Sequence, residues 1–119
     1  ISRLLNEQDW VLRTLNNTGD CYTKLNKYKE AISFFEECLS LLNIDDCFMH
    51  SVVTCNLGEV YYYNEQYEEA ILQFEQSKKN AILNKSKGIE ITNILFISRC
   101  LHKMNKNLKA IQGRTFLIS

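Results

Sequence analysis

Two short motifs in the chain combine side chains that can bind metals or act as nucleophiles. Cys47 and His50 are three residues apart and would share one face of a helix, whereas Cys100 and His102 are two apart and would diverge. A structural zinc site typically has four ligands, and each pair supplies two. A cysteine–histidine nucleophile would need the tertiary fold to bring both groups together. We therefore expect buried thiols and surface imidazoles, with no metal and no cofactor.

Paired acidic residues, which elsewhere serve as general acid and base, occur three times. The pairs are Glu36–Glu37, Asp45–Asp46 and Glu68–Glu69. Catalysis needs convergent groups in a pocket that excludes water, whereas adjacent acids in a helix face solvent or cap the helix start. The chain also contains no glycine-rich phosphate loop and no His-Glu-x-x-His motif. We predict that the protein is not an enzyme.

The composition is that of a soluble helical domain. The 119 residues are 45% hydrophobic and 24% charged, with four glycines and no proline, which favours helices over an all-β fold. No apolar run approaches the roughly 18 residues of a membrane span. Five cysteines without a compact framework indicate free thiols in a reducing cytosol. We predict a single cytoplasmic domain over residues 1–119, and the ends at Ile1 and "FLIS" predict a piece of a longer protein.

The zero net charge conceals an uneven distribution. Residues 1–77 contain 5 Lys/Arg and 13 Asp/Glu, a net charge of −8, whereas residues 78–119 contain 9 and 1, a net charge of +8. The chain either has solvated helix faces of uneven composition or is a dipolar molecule that meets partners, or its own copy, by opposite ends. The basic last third contains no recognisable nucleic-acid-reading module, so we expect no direct contact with nucleic acid.

The segments "NKYKEAISFFEE" (26–37) and "EQYEEAILQFEQ" (65–76) are two versions of one sequence. Aligned, they pair Tyr28 with Tyr67, Ala31 with Ala70, Ile32 with Ile71, and Phe35 with Phe74. A Gly-x-x-Tyr motif precedes each, at Gly19 and at Gly58, which are 39 residues apart. A fainter third copy places Ala110 40 residues after Ala70. A period in this range indicates a stacked array of supersecondary units.

Each unit has the pattern of two helices, because its apolar residues recur at three- and four-residue steps. The short links "LNK", "NEQ" and "MNK" divide each unit, "NKSKG" is a polar break, and Asp45 and Asp46 can cap a helix that begins near residue 46. We predict six helices, near residues 6–25, 28–42, 46–64, 67–83, 89–104 and 107–117. Gly19 and Gly58 would allow the two helices of a unit to approach closely.

The two clear units resemble the tetratricopeptide repeat family. The matching residues are Gly19, Tyr22, Tyr28, Ala31 and Phe35 in the first unit and Gly58, Tyr61, Tyr67, Ala70 and Phe74 in the second. The third unit keeps Ala110 but has Arg114 at the phenylalanine position, and Asn43 replaces the usual closing proline. The resemblance implies an all-α solenoid of about three antiparallel helix pairs, with repeats near 12–45, 51–84 and 91–118.

The resemblance also implies a concave groove lined by the first helix of each pair. The residues that we expect to bind there are Asn16, Asp20, Asn56, Glu59, Tyr62, Tyr63, Arg99, His102 and Lys103. Further groove positions are Arg13, Asn17, Lys24, Val52, Cys55, Thr92, Leu95 and Phe96. The amides suit a peptide backbone, the tyrosines with Leu95 and Phe96 offer apolar anchors, the acids favour a positive group, and the basic residues favour a carboxylate.

One function of the family is disfavoured by the residues in this groove. The family's chaperone-binding members hold a C-terminal carboxylate with lysine, asparagine and arginine side chains. Here Asn16, Asp20 and Glu59 stand where lysine or asparagine would be needed, and only Arg99 fits. Two acids in the pocket would repel the carboxylate.

We predict an interaction module that binds a peptide or protein segment in the groove. The alternative is the peptide-sensing C-terminal domain of a regulator similar to PlcR and the Rap proteins of Gram-positive bacteria, with a helix-turn-helix in the preceding sequence. The last helix is expected to pack against further chain or a second copy, because no following repeat covers its apolar residues. Those residues are Ile111, Phe116, Leu117 and Ile118.

Overall fold

Five α-helices form the part of the protein that the structure describes. The structure is a computed structural model, and it describes the backbone of residues 7–118 and the side chains of residues 7–113. The helices are α1 (Glu7–Lys24), α2 (Tyr28–Leu41), α3 (Cys47–Tyr63), α4 (Tyr67–Leu83) and α5 (Lys87–Ile118). Each helix packs against the next, and α3 also contacts α1 and α5. The predicted all-α fold is confirmed, and α1–α2 and α3–α4 are the first two predicted pairs.

The prediction of six helices is wrong, because residues 87–118 form one helix of 32 residues. The link "MNK" (104–106), which was expected to be a turn, is helical. In the two complete pairs the second helix buries a phenylalanine, whereas the third unit has Arg114 at that position. A second helix folded back here would lack the phenylalanine that packs on glycine in both complete pairs, and an uninterrupted helix keeps its backbone hydrogen bonds through the link. The third pair is therefore not formed.

A glycine in the first helix of each complete pair lies under a phenylalanine of the second. Phe35 and Phe74 are fully buried. A Cβ atom added to Gly19 would lie 2.7 Å from the Phe35 ring, and one added to Gly58 would lie 2.7 Å from the Phe74 ring. Both distances are too short for real contacts, so only glycine allows the rings to pack on the helix backbone. The predicted close approach of the paired helices at these glycines is confirmed.

The small residue three positions after each phenylalanine makes the same hydrogen bond in both pairs. The Cys38 thiol donates to the Leu12 carbonyl oxygen at 3.4 Å, and the Ser77 hydroxyl donates to the Ser51 carbonyl oxygen at 2.6 Å. Both side chains are fully buried, so the bond satisfies a donor that water cannot reach. The two pairs therefore match in polar detail as well as in apolar packing.

Three helix ends share one turn conformation. Asn26, Glu65 and Lys85, which follow α1, α3 and α4, have φ angles of 62°, 63° and 62°. At each turn the next residue's N–H donates to the carbonyl five residues earlier, as in a Schellman motif. Asparagine tolerates this left-handed conformation better than glutamate or lysine does. Before α3 the chain differs, because Asp46 Oδ1 accepts a bond from the Met49 N–H at 3.0 Å, which confirms the predicted cap.

The five cysteines are free, as predicted, and three of them are buried. Burial raises the pKa of Cys38 to about 11 and that of Cys55 to about 12, so these thiols stay protonated at neutral pH. In the described part of the chain, no helix has the length and apolar character needed to cross a membrane. The cytoplasmic location stays a prediction.

The glycine–phenylalanine contact can be tested by adding one methyl group. Gly58→Ala is expected to lower the free energy of unfolding by about 1–3 kcal/mol, because the Phe74 ring or the helix crossing must move. Gly88→Ala is the matched control, since nothing lies within 4 Å of its added Cβ, and it should be neutral or slightly stabilising. Urea unfolding followed by circular dichroism measures both variants. Equal effects would contradict the role of Gly58.

The left-handed turn residues provide a second test. Glu65→Gly is expected to raise the free energy of unfolding by about 1 kcal/mol, because glycine adopts a positive φ without steric cost. Asn26→Gly should gain less, since asparagine already tolerates this conformation. Lys79→Gly, an exposed position inside α4, serves as the control and should lose about 1 kcal/mol. A loss of stability in Glu65→Gly would show that the turn is not formed as described.

Candidate functional site

The candidate site lies on the surface that α1, α3 and α5 present together, which we call the groove face. Asn16 of α1 and Asn56 of α3 meet there, and the Asn56 side-chain amide donates to Asn16 Oδ1 at 3.0 Å. This bond uses the Asn16 oxygen and one Asn56 donor, which leaves the Asn16 amide donors and the Asn56 oxygen able to bind more. The pair therefore offers both a donor and an acceptor to a peptide backbone.

Two carboxylates lie one helical turn further along the same helices. Burial, and secondly the negative charge of Asp20, raise the pKa of Glu59 above its ordinary value. Asp20 pairs with Lys24 at 3.1 Å, whereas no ion pair involves Glu59 among the described side chains. The ionised Glu59 is thus in an unfavourable environment that an added positive group would improve.

Aromatic side chains continue the groove face at the end of α3. The Tyr62 ring contacts Tyr63 at 5.5 Å, Tyr67 at 5.7 Å and Phe96 at 5.5 Å between centroids. Burial and the charge of Glu59 raise the pKa of Tyr63, and the charge of Arg99 opposes this shift. A cleft of about 360 Å³ opens here, lined by Tyr62, Tyr63, Glu65, Tyr67 and Lys103. The structure thus brings the predicted tyrosines together with one predicted basic residue.

The predicted basic residues are all exposed on α5. The Arg99 guanidinium lies over the Phe96 ring, 5.1 Å from its centroid, in a cation–π arrangement. His102 and Lys103 follow it along the same helix. The groove face is therefore acidic where α1 and α3 meet and basic on α5.

Two residues expected in the groove are part of the core. Cys55 and Phe96 are only 7% and 8% exposed, and Phe96 stacks on Phe74 with 5.0 Å between ring centroids. Because α5 packs against both α3 and α4, these side chains extend the second core cluster. Their prediction as groove residues is wrong, whereas Leu95 is exposed as expected.

An aromatic cleft that was not predicted lies at the start of α1 and α3. Trp10 is 62% exposed and Phe48 is 56% exposed. They flank a cleft of about 360 Å³, which is lined by Trp10, Arg13, Thr14, Asn16, Asn17, Phe48, Met49 and Val52. Trp10 lies three residues before Arg13, and Phe48 lies four before Val52. Extending the predicted groove by one helical turn would have found both residues.

The two cysteine–histidine motifs do not converge with further ligands. Cys47 and His50 are half-buried, and Cys100 is buried while His102 is exposed. Across the residues that the structure describes, no three His, Cys, Asp or Glu side chains are grouped as a metal site requires.

A comparison with protein families agrees with the helix pairs and their packing. A model of the tetratricopeptide repeat matches residues 12–41 and 54–81, which fall within α1–α2 and α3–α4. The chain belongs to the tetratricopeptide repeat family. Tetratricopeptide repeats generally mediate protein–protein interaction, so the family supports a binding role for this chain. No curated protein and no solved structure matches the sequence.

The electrostatic position of Glu59 in this tetratricopeptide array can be tested by Glu59→Gln. The folded-state pKa of Glu59 lies above its ordinary value of 4.5, so the folded state disfavours the carboxylate. The stabilisation that the folded state gains from protonated Glu59 is fully present when the pH is below that ordinary value. This contribution to the free energy of unfolding is lost as the pH rises through the folded-state pKa. Glu59→Gln should therefore be more stable than the wild type at neutral pH.

The difference between the two proteins should shrink on acidification, which urea unfolding at several pH values would measure. Glu37→Gln, at an exposed position on α2, is the control and should leave the pH dependence unchanged. A wild type more stable than Glu59→Gln at neutral pH would contradict the unfavourable environment of this carboxylate.

Proposed function

We propose that the groove face binds an extended peptide or a segment of a partner protein. The observation that carries this proposal is Glu59, a half-buried carboxylate beside Asp20 to which no described cation is paired. A charged group held in such an environment without a structural partner is a common mark of a binding site. A lysine, an arginine or an amino terminus of the ligand would supply the missing charge.

The neighbouring features fit the spacing of an extended chain. The Trp10–Phe48 cleft shares Asn16 with the amide pair, and Asp20 and Glu59 lie ten and eleven residues after Trp10 and Phe48, about 15 Å along the helices. Side chains four positions apart on one face of an extended peptide are about 13 Å apart. A peptide with a large apolar side chain four positions from a basic one would therefore occupy the cleft and reach both carboxylates.

The opposite end of the groove face favours the opposite charge. Arg99, His102 and Lys103 are exposed on α5, and Lys103 lines the Tyr62–Tyr63 cleft. An acidic side chain or a carboxyl terminus would be favoured there, which would fix the direction of the peptide across the three helices. The alternative prediction, a peptide sensor similar to PlcR and the Rap proteins, would use the same groove, and binding would also have to shift the array between two states.

Trp10 allows binding to be measured without a label. It is the only tryptophan in the chain and flanks the proposed cleft, so a ligand that excludes water should shift its emission to shorter wavelengths. The probe is a positional-scanning library of short peptides. We expect responses from peptides with a basic residue four positions from a large apolar residue.

Two charge reversals decide where such peptides bind. Glu59→Lys should weaken their binding by about thirtyfold or more, because it places a positive charge against the basic residue of the peptide. Glu37→Lys makes the same change on an exposed part of α2 and should bind as the wild type does. Peptides that bind both variants equally well would place the site away from the groove face.

A further inference from the structure

A second cleft opens next to the groove face, between the start of α4 and the later part of α5. Its volume is about 590 Å³, which is within the range of ligand-binding clefts, and we call it the α4–α5 cleft. Its walls come from residues 65–69, where α3 ends and α4 begins, and from residues 104–111 of α5. Because the link at 104–106 forms part of the second wall, the cleft depends on the continuation of α5 as one helix.

The α5 side of the cleft offers an apolar contact, and we call it the apolar wall. Met104 is half-buried and Leu108 is 52% exposed, and the two lie about 6 Å apart along the helix. The polar residues between and beside them, Asn105 and Asn107, are uncharged amides. On the α4 side Tyr67 packs against the second core cluster and lines the same cleft. A large apolar side chain could therefore be buried here, with amides at its border.

The α4 side of the cleft is acidic, and we call Glu65, Glu68 and Glu69 the acidic wall. All three are exposed, and none forms an ion pair with a described side chain. Glu69 accepts a hydrogen bond from Gln66 Nε2 at 3.3 Å, and this neutral partner leaves its negative charge uncompensated. Burial, and secondly the negative charge of Glu65, raise the pKa of Tyr67. The field of the acidic wall thus acts on the cleft.

The first helix pair shows that the fold does not need this acidic wall. The corresponding residues, 39 positions earlier, are Asn26, Lys29 and Glu30. Acidic residues in a first turn stabilise a helix through its dipole, but in α2 a single glutamate occupies that turn. Three carboxylates are therefore specific to the turn that borders the cleft.

The basic residues of this part of α5 lie on other sides of the helix. Lys103, Lys106 and Lys109 do not line the α4–α5 cleft, although Lys103 and Glu65 both line the neighbouring Tyr62–Tyr63 cleft. Among the described residues that line the α4–α5 cleft, none is basic. The cleft therefore has carboxylates on one side, an apolar surface on the other, and no cation of its own between them.

We propose that the α4–α5 cleft binds a basic segment of a partner protein. The lysine or arginine side chains of the segment lie against the acidic wall, and a large apolar side chain lies against Met104 and Leu108. Charge complementarity selects this partner, because three carboxylates repel an acidic segment and attract a basic one. Burial of the apolar side chain supplies binding free energy that a simple cation would not gain. The site does not use Glu59, so it does not depend on the proposed groove binding.

A short fluorescein-labelled peptide of lysines and leucines is the probe, and fluorescence anisotropy measures its binding. The protein is the 119-residue chain with Glu59→Lys, a background in which the proposed groove site is weakened. One control peptide has glutamate in place of each lysine, and the other has serine in place of each leucine. Both should bind about tenfold more weakly or less, because the first is repelled and the second has no apolar group. Equal binding of the serine peptide would show only a general attraction of cations and would overturn the proposal.

Matched charge reversals locate the bound peptide. Glu69→Lys should weaken binding of the lysine–leucine peptide by about tenfold or more, since it places a positive charge against the basic side chains. Glu30→Lys makes the same change at the equivalent position of α2 and should leave binding unaltered. Glu65→Gly should also weaken binding although it is expected to stabilise the fold, so that loss cannot come from unfolding. Equal effects of Glu69→Lys and Glu30→Lys would overturn the proposal.

The apolar wall is tested by Leu108→Ala, which should weaken binding of the same peptide by about tenfold. The variant should keep the circular dichroism spectrum of its background, because Leu108 is already half exposed. Ile44→Ala is the control, since Ile44 is 85% exposed between α2 and α3, and it should bind the peptide unchanged. Sedimentation of the protein alone checks for self-association. A dimer that Leu108→Ala dissociates would assign the cleft to a second copy and overturn the proposal.

Discussion

The packing of a phenylalanine ring on bare glycine backbone sets the distance between the helices of each pair. Phe35 rests on Gly19 and Phe74 rests on Gly58, and no space remains for a Cβ atom at either glycine. The hydrogen bonds that Cys38 and Ser77 donate to backbone carbonyls of the first helices accompany this close approach. With both pairs drawn together in the same way, α1 and α3 lie side by side, and their remaining sides form the groove face.

The third unit shows what happens where this contact is missing. Ser98 stands at the glycine position and Arg114 at the phenylalanine position, so the glycine–phenylalanine contact of the other two units cannot form. The chain continues as one helix, and its apolar side remains exposed. The exposure of Ile94, Leu101 and Leu108 is therefore a consequence of the residues that unit three lacks.

Features determined by residues close in sequence were predictable, and features determined by the approach of distant helices were not. Helical periodicity located α1 to α4, and local chemistry located the Asp46 cap. The repeat register also placed Asn16, Asp20, Asn56 and Glu59 on one surface. It could not show that Cys55 and Phe96 turn inward, because that depends on how α5 packs across both α3 and α4. The link "MNK" resembled a turn locally, but the third unit lacks the glycine–phenylalanine contact that holds the second helix against the first in the other two units.

The opposite net charges of the two parts of the chain now have a physical interpretation. At the groove face, Asp20 and Glu59 lie on α1 and α3, and Arg99 lies on α5. Most of these groups are exposed, and physiological salt screens exposed charges beyond about 8 Å. Their main effect on the proposed binding would thus be to orient partners, whereas the Trp10–Phe48 cleft would supply most of the binding free energy. Glu59 is the exception, because its burial makes its charge costly until a cation reaches it.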